Sequence, residues 1–253
     1  MKNTIIPGAG PFYFKGNDVG VLMFHGFGGG TCSDLKYIAR DIFNRKGYTI
    51  HLPLLAGFGT SPEDLKQTSI NQWNESMENA FKEIRQKCRT LIVGGHSIGG
   101  VLPFILANSH QIEGIFAISA PIAIKGIGPY IAPFMKMFIK YHNIKSDQFR
   151  QETNGKWIGY DKIPINIVGK IKQLIAQMKR NLPNIRCPVI LFQGRKDNQI
   201  KKKSMDYIYQ KIKSTDKNKI WLENNDHPIL DSPDQNIIIS ELISFIERLK
   251  NQS

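Results

Sequence analysis

The run Thr90-Leu91-Ile92-Val93-Gly94-Gly95-His96-Ser97-Ile98-Gly99-Gly100 constrains what this chain can fold into more than any other stretch. β-favouring apolar residues lead straight into Gly95-His96-Ser97-Ile98-Gly99, and an apolar helical stretch from Val101 to Ala107 follows. The pattern is strand, sharp turn, helix, with a serine at the tip. A turn this tight holds the serine in a strained backbone conformation. The positions two before and two after it are crowded together, so they must lack side chains. Gly95 and Gly99 occupy them, and Gly100 lets the helix pack close to the strand. The geometry lifts the Ser97 hydroxyl out of the sheet at the positive end of the helix, where developing negative charge is stabilised. A glycine-rich βα turn with an incidental serine would share the pentapeptide, so the rest of the chain has to separate the two readings.

Strands alternate with amphipathic helices on both sides of this turn. Phe12 to Lys15 reads as a short first strand, and Val19 to Phe24 as a buried one that ends in the loop His25-Gly26-Phe27-Gly28-Gly29-Gly30. A helix follows, capped by Ser33 or Asp34, with Leu35, Ile38, Ala39, Ile42 and Phe43 on one face and a stop at Gly47. Tyr48 to Leu52 is the next strand, and residues 53–62 are a long loop. Ser69 to Cys88 is a helix carrying Ile70, Trp73, Met77, Phe81 and Ile84. After the serine turn, the helix from Ile98 to about Ser109 precedes a strand at Gly114 to Ser119. Strands resume at Pro188 to Gln193 and Lys219 to Leu222, and Pro233 begins a last helix. This alternation predicts an α/β fold with a mostly parallel central sheet flanked by helices.

The rhythm breaks between Pro121 and Pro183, where there is only helical material. Ile131, Phe134, Met135 and Phe138 make one apolar face, and Ile167, Ile171, Leu174, Ile175 and Met178 make another. A chain of 253 residues accommodates one large domain with such an insertion. The expected division is a core of residues 1–121 and 183–253 with a helical cap, or lid, at 122–182. The insertion also concentrates the formal charge of +13, holding eleven Lys and Arg against Asp147, Glu152 and Asp161. No zinc-finger spacing, RNA-binding signature or aromatic–basic stripe accompanies that excess, so nucleic acid is not an expected partner. A solvated lysine face is the plain explanation, and peripheral contact with anionic lipid surfaces the sharper one. Cys32, Cys88 and Cys187 lack metal-ligand spacing and read as free thiols of a cytoplasmic protein. Met1 to Phe14 has no signal-peptide pattern, and glycines interrupt the most apolar stretch, Leu91 to Ala107, too often for a membrane span.

A serine hydroxyl becomes a useful nucleophile only when a base takes its proton and a carboxylate orients that base. In a parallel α/β sheet those partners sit on loops at the carboxyl ends of later strands. Of six histidines, His25, His51 and His96 precede the serine, His110 lies near the end of its helix, and His142 belongs to the cap. His227 follows a late strand and is the candidate base. Asp197, after Val189 to Lys196, is the candidate carboxylate, with Asp226 and Asp231 as rivals; Asp226 is too near His227 in sequence to reach the ring's far nitrogen. The oxyanion of a tetrahedral intermediate needs two backbone N–H donors, assigned to Ile98 after the serine and Phe27 in the early loop. Phe27 and Gly26 are also the expected substrate contacts, whereas His25 reads as structural support for the loop.

The chain resembles the α/β-hydrolase superfamily over nearly its full length, and more narrowly the small bacterial carboxylesterases and monoacylglycerol lipases. The resemblance is carried by His25-Gly26-Phe27-Gly28-Gly29, Lys46-Gly47-Tyr48-Thr49, Gly57-Phe58-Gly59-Thr60, Asn71-Gln72-Trp73, Gly95 to Gly100, and Cys187 to Asp197. Gly29, Phe58 and Pro228 depart from the usual pattern. The resemblance implies a compact helical cap and cofactor-free, metal-free hydrolysis of short- to medium-chain esters or monoacylglycerols, by a monomer or homodimer. A thioesterase or C–C bond hydrolase with the same three residues, and a non-catalytic ligand-binding protein on the same fold, remain open alternatives.

Overall fold

Buried apolar strands set the architecture. The computed structural model describes residues 4–125 and 139–250. Seven strands form one sheet in the order β1-β3-β2-β4-β5-β8-β9: β1 (Phe12–Phe14), β2 (Val19–Phe24), β3 (Thr49–Leu52), β4 (Thr90–His96), β5 (Gly114–Ile118), β8 (Val189–Gly194) and β9 (Lys217–Leu222). Two further strands, β6 (Tyr141–Asn143) and β7 (Lys162–Pro164), pair apart from it. Every neighbour in the large sheet is parallel except β1, which runs antiparallel to β3. At the centre β2 and β4 are buried at every position and register from Val19↔Thr90 to Phe24↔Gly95.

Side chains of a strand alternate between faces, so β2 supplies both cores. Leu22 and Phe24 join the core beneath α3 (Ile70–Arg85), α4 (Leu102–Leu106) and α6 (Ile167–Asn181). Val21 and Met23 join the opposite core, beneath α1 (Ser33–Lys46) and α8 (Gln235–Lys250). Helices on both faces explain why these strands read as continuous apolar runs.

The helix ends show where local signals succeed and where tertiary partners override them. Ser69 and Gln72 form a capping box that starts α3, and Gly47, at φ 63°, closes α1. The expected cap of α1 by Ser33 or Asp34 is not formed: Cys32 sits at the cap position without a side-chain hydrogen bond. The Ser33 hydroxyl is instead spent on Ile158, accepting its N–H at 3.0 Å and donating to its carbonyl at 3.2 Å. The loop expected at 53–62 runs into α2 (Pro62–Gln67), capped by Ser61, whose Oγ accepts the Asp64 N–H at 3.1 Å. Another short helix, α7 (Ser204–Lys211), lies between β8 and β9.

Residues 122–182 contain α5 (Ser146–Glu152) and α6, and also the antiparallel pair β6–β7, joined from Tyr141↔Pro164 to Asn143↔Lys162. The sequence gives no sign of that pair, because three-residue strands with partly exposed side chains leave no buried run. The expected helical face through Ile131, Phe134, Met135 and Phe138 lies outside the described residues. Lys170 is not part of a solvated face: its ammonium donates to the carbonyls of Lys66, at 3.2 Å, and Thr68, and burial lowers its pKa.

Candidate active site

Ser97 stands at the carboxyl end of β4 with φ 57°, a left-handed conformation that a serine adopts only under constraint. The constraint is crowding. A Cβ on Gly99 would lie 2.0 Å from the Phe24 carbonyl oxygen, and one on Gly95 would lie 2.4 Å from the same atom. A Cβ on Gly100 would approach Gly95 O at 3.0 Å. The helix expected to begin at Ile98 opens instead as a 3-10 turn, Ser97–Gly100, and becomes α-helical only at Leu102, with Pro103 in its first turn.

His227 lies on the loop after β9. Its Nε2 is 2.9 Å from Ser97 Oγ and its Nδ1 is 2.8 Å from Asp197 Oδ2. An ionised carboxylate only accepts, so Nδ1 carries the proton and Nε2 receives the Ser97 O–H. Asp197 is almost wholly buried, and its Oδ1 accepts the N–H groups of Gln199 at 2.9 Å and Ile200 at 3.3 Å. Burial pushes this carboxyl up. The hydrogen bond and charge of His227, with the two N–H groups, outweigh it and hold the pKa below the usual carboxylate range. The rivals are elsewhere: Asp226 is exposed, and Asp231 is ion-paired with Lys156 at 2.7 Å.

The loop carrying His227 is fixed by its own polar groups. Asn225, fully buried, donates to the carbonyls of Asp226 and Pro228 at 2.8 and 3.1 Å. His96 donates from Nε2 to the His227 carbonyl at 2.9 Å. Burial, reinforced by the charge of His227, pushes the pKa of His96 down to about 3, so its ring is neutral. His25 is likewise neutral, pushed down to about 4 by burial. Its Nδ1 donates to the Gly26 carbonyl at 2.8 Å and its Nε2 accepts the Leu55 N–H at 3.3 Å, which fits the structural reading of this residue.

Two cavities meet at Ser97 and His227. The larger, about 530 Å³, is walled by Phe27, Ile98, Ile124, Ile163, Ile167, Val168 and Ile171, with Gln199 and His142 among its polar lining. Phe27 is held against the Phe58 and Trp73 rings, with centroids 4.9 and 4.7 Å away. Phe58 thus supports the wall from behind and is not itself part of the lining. The smaller cavity, about 100 Å³, includes Gly26, Gly30, Asp34, His96, Thr153 and Trp157.

The family model described as serine aminopeptidase, S33, matches residues 17–234, a span that contains Ser97, Asp197 and His227. The chain belongs to the serine aminopeptidase S33 family. Among its relatives, the thermostable monoacylglycerol lipase of Bacillus sp. (strain H-257) is 33% identical over 96% of this chain and 96% of its own length. The carboxylesterase of Bacillus subtilis (strain 168) is 28% identical over 94% of this chain and 96% of its own length. A solved structure of the metagenome-derived lipolytic enzymes LipS and LipT superposes with a TM-score of 0.87 at 26% identity, covering 97% of this chain and all of that one.

In this S33-family chain the six residues singled out from sequence converge. Ser97, His227 and Asp197 are joined by hydrogen bonds, Phe27 and Ile98 line the larger cavity, and Gly26 lines the smaller. Sequence reasoning did not single out His96, Gln199 or Asp34 for the site. His96 and Gln199 flank named residues, a weak signal that adjacency alone provides. Asp34 looked like a helix cap, and only the folded chain places it in the smaller cavity, which Ser97 also lines.

Proposed function

We propose that this chain is a serine ester hydrolase acting on short- to medium-chain carboxylic esters, monoacylglycerols included. The observation that carries this reading is the hydrogen-bonded line Asp197–His227–Ser97 ending at the mouth of a 530 Å³ apolar cavity. In the proposed reaction Ser97 Oγ attacks the ester carbonyl carbon while its proton passes to His227 Nε2. The N–H groups of Phe27 and Ile98 receive the oxyanion. Collapse breaks the C–O bond to the alcohol, which leaves with the proton from Nε2. Water then gives its proton to Nε2, attacks the acyl-Ser97 carbonyl and releases the acid. Asp197 holds the ring's orientation and stabilises its positive charge. An aminopeptidase would need a carboxylate for the substrate's ammonium group on the acyl side. Among the described residues the lining of the larger cavity contains none, which favours an uncharged acyl chain.

Residues 122–182 serve in this reading as the lid, because Ile163, Ile167, Val168 and Ile171 form one wall of that cavity. Each methylene buried there gains about 0.8 kcal/mol, roughly fourfold in kcat/KM at most. Across a p-nitrophenyl ester series kcat/KM should therefore climb from acetate to medium-length acyl chains and fall once the cavity is full. A flat profile would remove the acyl-cavity assignment.

The lid also supports contact with an anionic lipid surface. Lys125, Lys140, Lys145, Lys172 and Arg180 are exposed there, and Ile139 beside Lys140 is 43% exposed. The protein should co-sediment with vesicles containing phosphatidylglycerol and less with phosphatidylcholine alone. That difference should shrink between about 0.1 and 1 M salt, as the Debye length falls from about 10 to 3 Å. Equal, salt-insensitive binding to both would leave the lysines as a solvated face. No helix among the described residues is long and apolar enough to cross a membrane. Three free cysteines support a reducing, cytoplasmic setting.

A further inference from the structure

Residues 158–160, in the insertion, are fastened to the loop that follows β2. The Ile158 carbonyl accepts the Thr31 hydroxyl at 2.7 Å, and the Tyr160 N–H donates to the Gly29 carbonyl at 2.9 Å. The two backbones pass so closely that a Cβ on Gly159 would lie 2.3 Å from the Gly29 oxygen. Phe27 stands two residues before Gly29 on the same loop.

The Tyr160 side chain reaches a second loop. Its hydroxyl donates to the Gly57 carbonyl at 2.8 Å and accepts the Thr60 N–H at 2.9 Å, closing the turn that carries Phe58. Gly57 and Gly59, on either side of Phe58, have φ of 78° and 69°. Glycines leave such a turn many alternative conformations, so the hydroxyl bridge supplies a constraint that the backbone lacks. Burial pushes the phenol pKa up, so the group remains an O–H donor. The Phe58 ring in turn lies 4.9 Å from that of Phe27 and 4.8 Å from that of His25, which holds the Gly26 carbonyl. Tyr160 therefore acts on Phe27 along two routes, through Gly29 and through Phe58, although it does not itself line the larger cavity.

We infer that Tyr160 is a positioning residue for the oxyanion donor: by bridging Gly57 to Thr60 and holding Gly29, it sets the Phe27 N–H where the oxyanion forms. This inference rests on the ester-hydrolase reading and adds to it a residue of the insertion that serves the chemical steps, not acyl-chain binding. Donors of this kind work because they are held in place before the charge develops. An oxyanion forms in both acylation and deacylation, so a loosened donor slows both by a similar factor. The rate kcat then falls, while KM, which depends on the ratio of the two steps, stays.

The test uses Tyr160→Phe, which keeps the buried ring and the backbone N–H and removes the hydroxyl bridge alone. Stoichiometric labelling by a fluorophosphonate first counts active sites, so that rates refer to folded enzyme. For p-nitrophenyl esters, kcat per active site should fall about tenfold, short of the roughly hundredfold or greater loss on removing an oxyanion donor outright. KM should stay within about twofold, since the lost interaction belongs to the transition state. The loss should be equal for the acetate and a medium-chain ester. A trifluoromethyl ketone, to whose carbonyl carbon Ser97 Oγ adds as its proton passes to His227 Nε2, places the resulting oxyanion at the same donors and should bind about tenfold more weakly. Phe58→Leu, which loosens the same contact with Phe27, should show the same pattern, and it decides the matter by the same criteria if Tyr160→Phe does not fold. Unchanged kcat per active site and unchanged ketone affinity would overturn the inference and leave the hydrolase reading standing. A loss that grows with acyl length would also overturn it, making Tyr160 a support of the acyl cavity instead. Failure of the wild type to turn over any of the esters would overturn both readings together.

Discussion

Ser97→Ala is expected to abolish ester turnover, with a fall in kcat of about 10⁶-fold, since removal of the nucleophile in such a hydrogen-bonded set leaves only background catalysis. Labelling by a fluorophosphonate, which requires the serine oxygen, should vanish with it. The protein should remain folded. Alanine loses one hydrogen bond to His227 but keeps the same φ of 57°, so the backbone strain is neither added nor relieved. Ser97→Gly separates the two effects. It should be equally inactive yet more stable than Ser97→Ala by about 1 kcal/mol, because glycine accepts the left-handed conformation without steric cost. Thermal melts of the two variants check this. Wild-type turnover by Ser97→Ala would remove the proposed mechanism altogether.

Asp197→Asn should lower kcat by about 10⁴-fold while leaving KM nearly unchanged. The amide keeps the shape of the carboxylate but cannot act as a pure acceptor toward His227 Nδ1, so the ring loses both its fixed tautomer and the charge that stabilises its protonated form. Asp226→Asn and Asp231→Asn should retain nearly normal rates, since the His227 ring is hydrogen-bonded to Asp197 and Ser97 instead. Damage from Asp231→Asn without damage from Asp197→Asn would reverse the assignment. The same substitution has a consequence for acid stability. The folded pKa of Asp197 lies below its unfolded value of about 3.9, so its stabilisation is fully present above about pH 4. It is lost as pH falls through the folded value. The urea midpoint of wild type should therefore exceed that of Asp197→Asn most near neutrality, and the gap should close below about pH 4.

Much of this site was legible along the chain because its parts obey local rules. The serine turn needs small residues at fixed offsets, and Gly95 and Gly99 provide them. Parallel strands buried on both faces must be apolar throughout, so β2, β4, β5 and β8 stand out as runs. Once those strands are placed, the position of a polar residue just beyond a strand's carboxyl end limits the choice, and that restriction selected Asp197 and His227. The family resemblance pointed the same way, to an α/β-hydrolase fold with a capping insertion.

Other features depended on groups that meet only after folding. Ser33 and Asp34 looked alike as helix caps, but Ser33 is drawn off by Ile158, 125 residues away. Asp34 is left half-buried, its Oδ2 in the room that a side chain at Gly30 would need. The β6–β7 pair gave no periodic signal because strands of three residues are held by each other, not by a buried face. Lys170 counted as surface charge until its contact with the carbonyls at the end of α2 took it out of the solvated set. The neutral state of His96, and an Nδ1 without a partner among the described residues, follow from the same cause. Sequence fixes the chemistry a side chain carries and the local backbone it can adopt. Which partners remain for its polar atoms, and how much water reaches them, is decided by distant segments brought within 3 Å, and no local pattern encodes that.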